Sequence, residues 1–217
     1  EVILLHEAKD GIPAFLLLEW LSPERPRHAD ALAEKLGEGL AALHQRTQAN
    51  HGLDHDNYIG SLPQHNQEES SWAVFYRDHR IRAQGEIARQ RGRLPASREK
   101  LLNALLEEIP LIVPDVSPSL LHGDLWGGNY MAGVNDTPVI YDPAVYYGHR
   151  EVEIAFTELF GGFPKRFYDA YNAIFPLDAG YHKRKALYQL YPLMVHMNLF
   201  GGGYASQVDS IMQQYIS

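Results

Sequence analysis

Hydrophobic positions open the chain in two short runs. Val2 to Leu5 and Ala14 to Leu18 are apolar, with the turn residues Lys9, Asp10 and Gly11 between them, so the pattern predicts two strands around a turn. The prolines of "SPERP" then break the chain. From Asp30 to about Thr47, Leu32, Leu36, Leu40 and Leu43 recur at helical spacing. "ANHGLDHDNYIGSLPQHNQ" reads as one long loop of turn residues, a kind of segment that often carries function. A helix is predicted from about Ser71 to Arg91, with Trp72, Phe75, Tyr76 and Ile81 as its apolar positions. Another runs from about Ser97 to Ile109 with Ser97 as N-cap, and the proline-rich "PLIVPDVSPS" follows as a loop.

In the second half "LLH" forms a short strand, and "NYMAGVNDTPVIYD" reads as a hairpin. Tyr130-Met131 and Val139-Ile140-Tyr141 flank the Asn135-Asp136 turn. Beyond "PAVYYGHR" the pattern is helical over about 151–160, 164–173, 180–199 and 203–215. There are no repeats and no low-complexity segment. The fold class is therefore α+β, mostly α, with a short strand pair ahead of a helical body.

Composition narrows the function. With 45% hydrophobic and 21% charged residues over 217 positions, the chain reads as globular with ample length for a core. No apolar run reaches about 18 residues, so no membrane span is expected. "EVILLHEAKDG" lacks a basic n-region and a long apolar stretch, so no signal peptide is read there, and a cytoplasmic location is the default. The absence of cysteine excludes disulfides, zinc–thiolate sites and cysteine nucleophiles. A net charge of −8 argues against nucleic acid as the main partner and suits a neutral or cationic substrate. His51 and His55 have the spacing of a metal pair on one helix face, but Gly52, Asp54 and Asn57 read as loop and no third ligand stands out.

The candidate chemistry lies in "LLHGDLWGGNY". Asp124 and Asn129 share this loop, and the hairpin folds Asp142 back beside Asn129. That order suits phosphoryl transfer, in which one carboxylate takes the proton of the attacking hydroxyl and an amide oxygen and a second carboxylate hold Mg²⁺ against nucleotide phosphates. Gly123, Gly127 and Gly128 let the backbone turn tightly around these groups. The alternative for Asp and Asn in such a loop is ordinary turn formation.

"HGDLWGGN" followed by "VIYDPA" resembles the small-molecule phosphotransferases that share the protein-kinase fold. Together with "DPAVYYGHRE", "LFGGF" and "YQLYPLMVHMNLFGGGY", it is similar to the fructosamine kinase (ketosamine-3-kinase) family from about Phe15 to the end. The resemblance implies ATP- and Mg²⁺-dependent phosphorylation of the 3-hydroxyl of ketosamines, adducts of fructose- or ribulose-type sugars on amines or protein lysines, in deglycation. It implies Asp124 as catalytic base, Asn129 and Asp142 as Mg²⁺ ligands, and Glu19, Trp20 and Leu21 of "FLLLEWL" as the hinge facing adenine. Residues 1–22 would then close an N-lobe and 23–217 would form a protein-kinase-like C-lobe. The family's glycine-rich loop, strand lysine and helix glutamate precede the hinge. Lys9 lies in a turn and does not fill the lysine's place, so the chain is expected to be a fragment that binds ATP poorly by itself.

Other residues carry two readings each. Trp126 either stacks on a sugar face or wedges into the core beneath the loop. His122 and, by the family likeness, Glu153 in the first turn of a helix are expected to brace the loop. His196 and Asn198 face the substrate cleft or are satisfied core residues. Tyr146, Tyr147 and Arg150 wall the sugar pocket or serve packing and surface. His44 reads as helix core without a role. Competing functions are a related kinase of choline, aminoglycosides or sugars, for which Trp126 and the Asn57–Gln64 loop would shape another pocket, and a non-catalytic binding module, against which the intact Asp124, Asn129 and Asp142 count.

Overall fold

The structure, a computed structural model, describes residues 2–9, 11–22 and 25–216. It opens on the antiparallel pair β1 (Val2–His6) and β2 (Phe15–Leu18), with Leu5 opposite Leu16. Lys9 and Ile12 exchange backbone hydrogen bonds and close the turn. Asp10 of the predicted turn, and Pro23 and Glu24 of the break after β2, lie outside the described residues. The apolar side chains of this pair are largely exposed.

The body is helical, as the periodicity requires. α1 (Ala29–His44) buries Leu32, Ala33, Leu36, Leu40 and Ala41 on one face, and that face packs on α6 (Lys165–Ile174). The predicted helix at 71–91 is continuous but not uniform. α2 (Trp72–Phe75), capped by the Ser71 side chain, runs into a π-helical stretch (Tyr76–Arg82) and then α3 (Ala83–Gln90). α4 (Ala96–Ile112) corrects two expectations. Pro95, not Ser97, is its N-cap, so Ser97 sits inside the first turn. The helix also continues through Pro110 into the predicted loop, because Leu105, Leu106 and Ile109 are buried and seat its last turn. α5 (Arg150–Thr157), α7 (Tyr181–Phe200) and α8 (Tyr204–Gln214) complete the body. Among the described residues no helix is long and apolar enough to cross a membrane.

Three short antiparallel pairs punctuate the helices. β3 (Asn57–Ile59) and β4 (Leu62–Gln64) form a hairpin inside what reads in sequence as one unbroken loop. Tertiary bonds fix it: Asn57 Nδ2 donates to the Val145 carbonyl at 2.7 Å and Gln64 Nε2 to that of Ala144 at 3.0 Å. β5 (Ser119–Leu121) ends one residue before His122 and pairs with β8 (Tyr146–Gly148), a strand the sequence pattern does not show. β6 (Tyr130–Ala132) and β7 (Pro138–Ile140) form the expected hairpin around Asn135 and Asp136. Both turn residues adopt left-handed φ, 58° and 54°, which Asn and Asp tolerate better than other side chains. Asp136 also accepts from the backbone N–H groups of Arg27 and His28, fastening the hairpin turn to the entry of α1.

Candidate active site

β5 leads directly into the loop that carries Asp124. Gly123 has φ +83°, and a Cβ there would meet the Ala144 carbonyl oxygen at 2.0 Å, so only glycine allows this approach to the segment that leads into β8. Glu153, at the start of α5 and fully enclosed, holds the loop from below. Its carboxylate accepts from His122 N–H at 2.9 Å and Gly123 N–H at 2.7 Å. His44 Nε2 donates to the same carboxylate at 2.9 Å, and His44 Nδ1 meets Tyr171 Oη at 2.8 Å. Burial would raise the Glu153 pKa, but the hydrogen bond from His44 and the electrostatic attraction of the His44 and His122 groups around it hold it below the ordinary value. His122 Nε2 donates to the Tyr141 carbonyl at 2.9 Å, which leaves Nδ1 to accept from Asp124 N–H at 3.3 Å. The braces expected of His122 and Glu153 are thus present as contacts. His44, read in sequence as core without a role, is the third member of that ring.

Above the ring stand groups with unused acceptors. Asn129 Nδ2 donates to the Asp124 carbonyl at 2.8 Å and to Asp124 Oδ2 at 3.0 Å. Its amide is therefore turned so that Oδ1 accepts no hydrogen bond among the described residues. Tyr141 N–H donates to the Asn129 carbonyl at 3.1 Å, which sets Asp142 one residue past the end of the hairpin ladder. Asp142 is exposed and has φ 56°, an uncommon state for a non-glycine residue. Burial pushes the Asp124 carboxyl up to about 7, and the charges of Asp142 and Glu153 add to this against the Asn129 hydrogen bond.

Asp124 opens on a cleft lined also by Ile59, Tyr146, Tyr191 and His196. His196 is bonded through Nδ1 to the Pro192 carbonyl and packs on Phe160 at 4.7 Å. Trp126 is 40% exposed, folds its ring over Gly128 and meets Phe160 edge-on at 6.4 Å. Trp20 of the segment after β2 is 84% exposed.

Where two readings stood open, several residues turn out to serve packing. Asn198 is buried and donates to Gln84, so it faces α3 and not the cleft. Arg150 is no pocket wall: it donates to Tyr171 Oη and the carbonyls of Phe175 and Pro176, beneath the Glu153 ring. Tyr147 is the β8 partner of Leu120 and exchanges backbone bonds with Gly52. His51 is buried against Trp72, while His55 is exposed and bonded to Asp54, so the two do not meet. A separate trio, His149, Glu151 and Asp178, brings ligand atoms within 4.8 Å of one another, but Arg184 occupies both Glu151 oxygens.

Comparisons with known proteins bear on the family and the fold. The family model for fructosamine kinase matches residues 3–217. A "probable ketoamine kinase" of Enterococcus faecium is 41% identical over 217 residues, covering 99% of this chain and 76% of its own length. A chloroplastic "protein-ribulosamine 3-kinase" of Arabidopsis thaliana is 42% identical over 185 residues, 84% of this chain and 56% of its own. The crystal structure of a "putative fructosamine-3-kinase" from Thermobifida fusca aligns with a TM-score of 0.85 and 36% identity, over 92% of this chain and 69% of its own. A thermostable mutant of an aminoglycoside phosphotransferase aligns at 0.57 with 16% identity, covering 98% and 76%, a likeness of fold alone.

Proposed function

The chain belongs to the fructosamine kinase family, and we propose that it phosphorylates the 3-hydroxyl of a ketosamine, with ATP as donor and Mg²⁺ as the metal. The observation that carries this reading is Asp124: a partly buried carboxylate with its pKa near 7, fixed by Asn129 and opening on a cleft. A group so placed and so tuned takes a proton from a hydroxyl at neutral pH. The hydroxyl of an acceptor seated in the cleft would give its proton to Asp124 as its oxygen bonds the γ-phosphorus of ATP, the bond from that phosphorus to the bridging oxygen breaks, and ADP leaves. Glu153, through the N–H groups of His122 and Gly123, keeps Asp124 from swinging away.

The residues present fit a hard divalent cation. Among the described residues Asn129 Oδ1 is left without a donor, the Asp142 carboxylate is exposed, and both are oxygen ligands of the type that Mg²⁺ takes. Such an ion, when bound, supplies charge neutralisation on the nucleotide phosphates. Glu19, Trp20 and Leu21 are the segment we assign to adenine, which makes residues 1–22 the close of an N-lobe with its hinge and 23–217 the C-lobe. Trp126 and His196, which both pack on Phe160, together with Tyr146, are assigned to the acceptor side. The acceptor follows from the relatives: their names are those of ketoamine and ribulosamine kinases, which favours a ketosamine, free or protein-bound, over choline or an aminoglycoside. A panel of fructosamine, ribulosamine, choline and aminoglycoside acceptors, assayed with ATP and Mg²⁺ for phosphate transfer, tests this. A ketosamine should be the best acceptor by kcat/KM, and a clear win for another class overturns the proposal.

A further inference from the structure

Arg80 lies behind the acceptor wall and plays no part in the chemistry above. Its side chain is fully enclosed, and among the described residues no carboxylate pairs with it. A buried, unpaired guanidinium is expensive to keep, so its surroundings call for explanation. Nη1 donates to the His65 carbonyl at 2.6 Å and Nη2 to Asn66 Oδ1 at 2.9 Å, while Nε has no partner. The flat cation instead lies over rings: Tyr146 at 3.9 Å, Phe75 at 4.6 Å and Tyr191 at 5.4 Å from the centroids. Tyr146 and Tyr191 are two of the side chains that line the cleft with Asp124.

The backbone is altered at this point. Arg80 sits within the π-helical stretch, where Ala83 N–H reaches the Asp78 carbonyl five residues back. Single π turns inside α-helices recur at functional sites, because they re-aim the side chains around them. The target of that re-aiming is the β3–β4 hairpin. Asn66 Nδ2 donates to Asn57 Oδ1 at 2.9 Å, Gln64 Nε2 to the same oxygen at 2.8 Å, and Tyr191 Oη to Gln64 Oε1 at 2.8 Å. Arg80, Asn66, Gln64 and Tyr191 thus join the π turn, the hairpin and α7 in one connected set, and the hairpin contributes Ile59 to the cleft.

We infer that Arg80 is a positioning residue for acceptor specificity: by stacking on Tyr146 and Tyr191 and latching the β3–β4 hairpin, it fixes the wall against which the acceptor seats. The acceptor's identity rests on the function proposed above; the latch does not. Arg80→Lys keeps the charge but loses the planar stack and fork. Tyr191→Phe keeps the ring and removes only its bond to Gln64, so it serves where Arg80 variants fold poorly. In the ATP- and Mg²⁺-supported reaction, Arg80→Lys should raise the ketosamine KM about 5- to 30-fold, the effect of losing one or two cation–π contacts, with the ATP KM unchanged. Tyr191→Phe should move the same parameter in the same direction by less. Amide hydrogen exchange, which needs no substrate, should show faster exchange over residues 57–66 in Arg80→Lys with slow exchange kept in α4 and α8. Equal shifts of the ketosamine and ATP KM, no shift in either variant, or unchanged exchange of the hairpin would each overturn the inference. If the wild-type protein turned over no ketosamine, the function reading would fail while the exchange experiment still decided the latch.

Discussion

The inner and outer sides of the Asp124 loop are built on opposite rules. On the inner side, His44, Glu153 and His122 spend both ring nitrogens and the carboxylate on protein partners, and all three side chains are buried. On the outer side, Asn129 Oδ1 has no donor among the described residues, Asp142 is exposed in a left-handed conformation, and burial pushes the Asp124 carboxyl up to about 7. A polar group that is fully satisfied has nothing left to offer a ligand and serves best as a support. A group left short of partners, in a strained backbone or with a displaced pKa, is held ready for something the protein does not itself supply.

The sharpest break of that comparison is Asp124→Asn. Asn keeps the size and can still accept from Asn129, but it takes no proton at neutral pH, so kcat should fall about 10²- to 10⁴-fold with the ATP KM little changed. The same change should stabilise the fold. The folded pKa lies above the ordinary 3.8, so ionising Asp124 costs stability progressively as pH rises from about 4 to about 7, and nothing below that range. Asn removes the cost, giving about 1–2 kcal/mol more stability at pH 8 and no gain at pH 4 in denaturant unfolding. Activity has the matching sign: kcat/KM should rise with pH as Asp124 ionises, with a midpoint near 7 at low Mg²⁺. Near-normal kcat in Asp124→Asn would remove Asp124 from the role of base.

Glu153→Gln tests the inner side. One acceptor oxygen becomes an NH₂ facing a buried donor, from His122, Gly123 or His44, so unfolding free energy should drop by about 2–4 kcal/mol. Turnover should drop with it, because the loop loses its anchor. Asp142→Asn should leave stability nearly untouched and shift the Mg²⁺ concentration needed for half-maximal rate upward, the mark of a ligand and not a support. A stability loss in Asp142→Asn equal to that of Glu153→Gln would erase the distinction between the two sides.

The outer side was legible in the sequence; of the inner side, His122 and Glu153 were expected as braces through the family likeness, and His44 was not. Asp124, Asn129 and Asp142 sit in one stretch of chain, where residue types, glycines and hairpin order can be read directly. His44 and Glu153 touch across 109 positions, and a lone histidine on a helix face that is otherwise leucine, alanine and one glycine gives no local sign of its partner. Helices emerged because their periodicity extends over many residues. β3, β4 and β8 are three residues each, too short for any alternation to show, and tertiary bonds such as Asn57 to Val145 define them. The π turn at Arg80 is likewise set by what it packs against. Ser97 has the chemistry of a cap, but Pro95 already holds the backbone extended two residues earlier.

The smallest expected effect comes from Tyr171→Phe, at the far end of the inner ring. Arg150 Nη1 donates to Tyr171 Oη at 3.2 Å, so the phenol's own hydrogen is free to point at His44 Nδ1. That arrangement makes Nδ1 an acceptor and places the imidazole hydrogen on Nε2, aimed at Glu153. Removing the hydroxyl leaves Nδ1 without a donor, but the Nε2–H bond to the carboxylate still orients the ring. Arg150 still has the carbonyls of Phe175 and Pro176 and its stack on the Phe175 ring. The loss should therefore be that of one buried hydrogen bond, about 1 kcal/mol in unfolding free energy. With Glu153 still holding the two loop N–H groups, kcat should stay within about 3-fold of the wild type. A drop of two orders of magnitude at unchanged stability would mean that the proton position on His44 bears directly on Asp124. The inner ring would then belong to the chemistry, and the division between support and acting groups would have to be redrawn at His44.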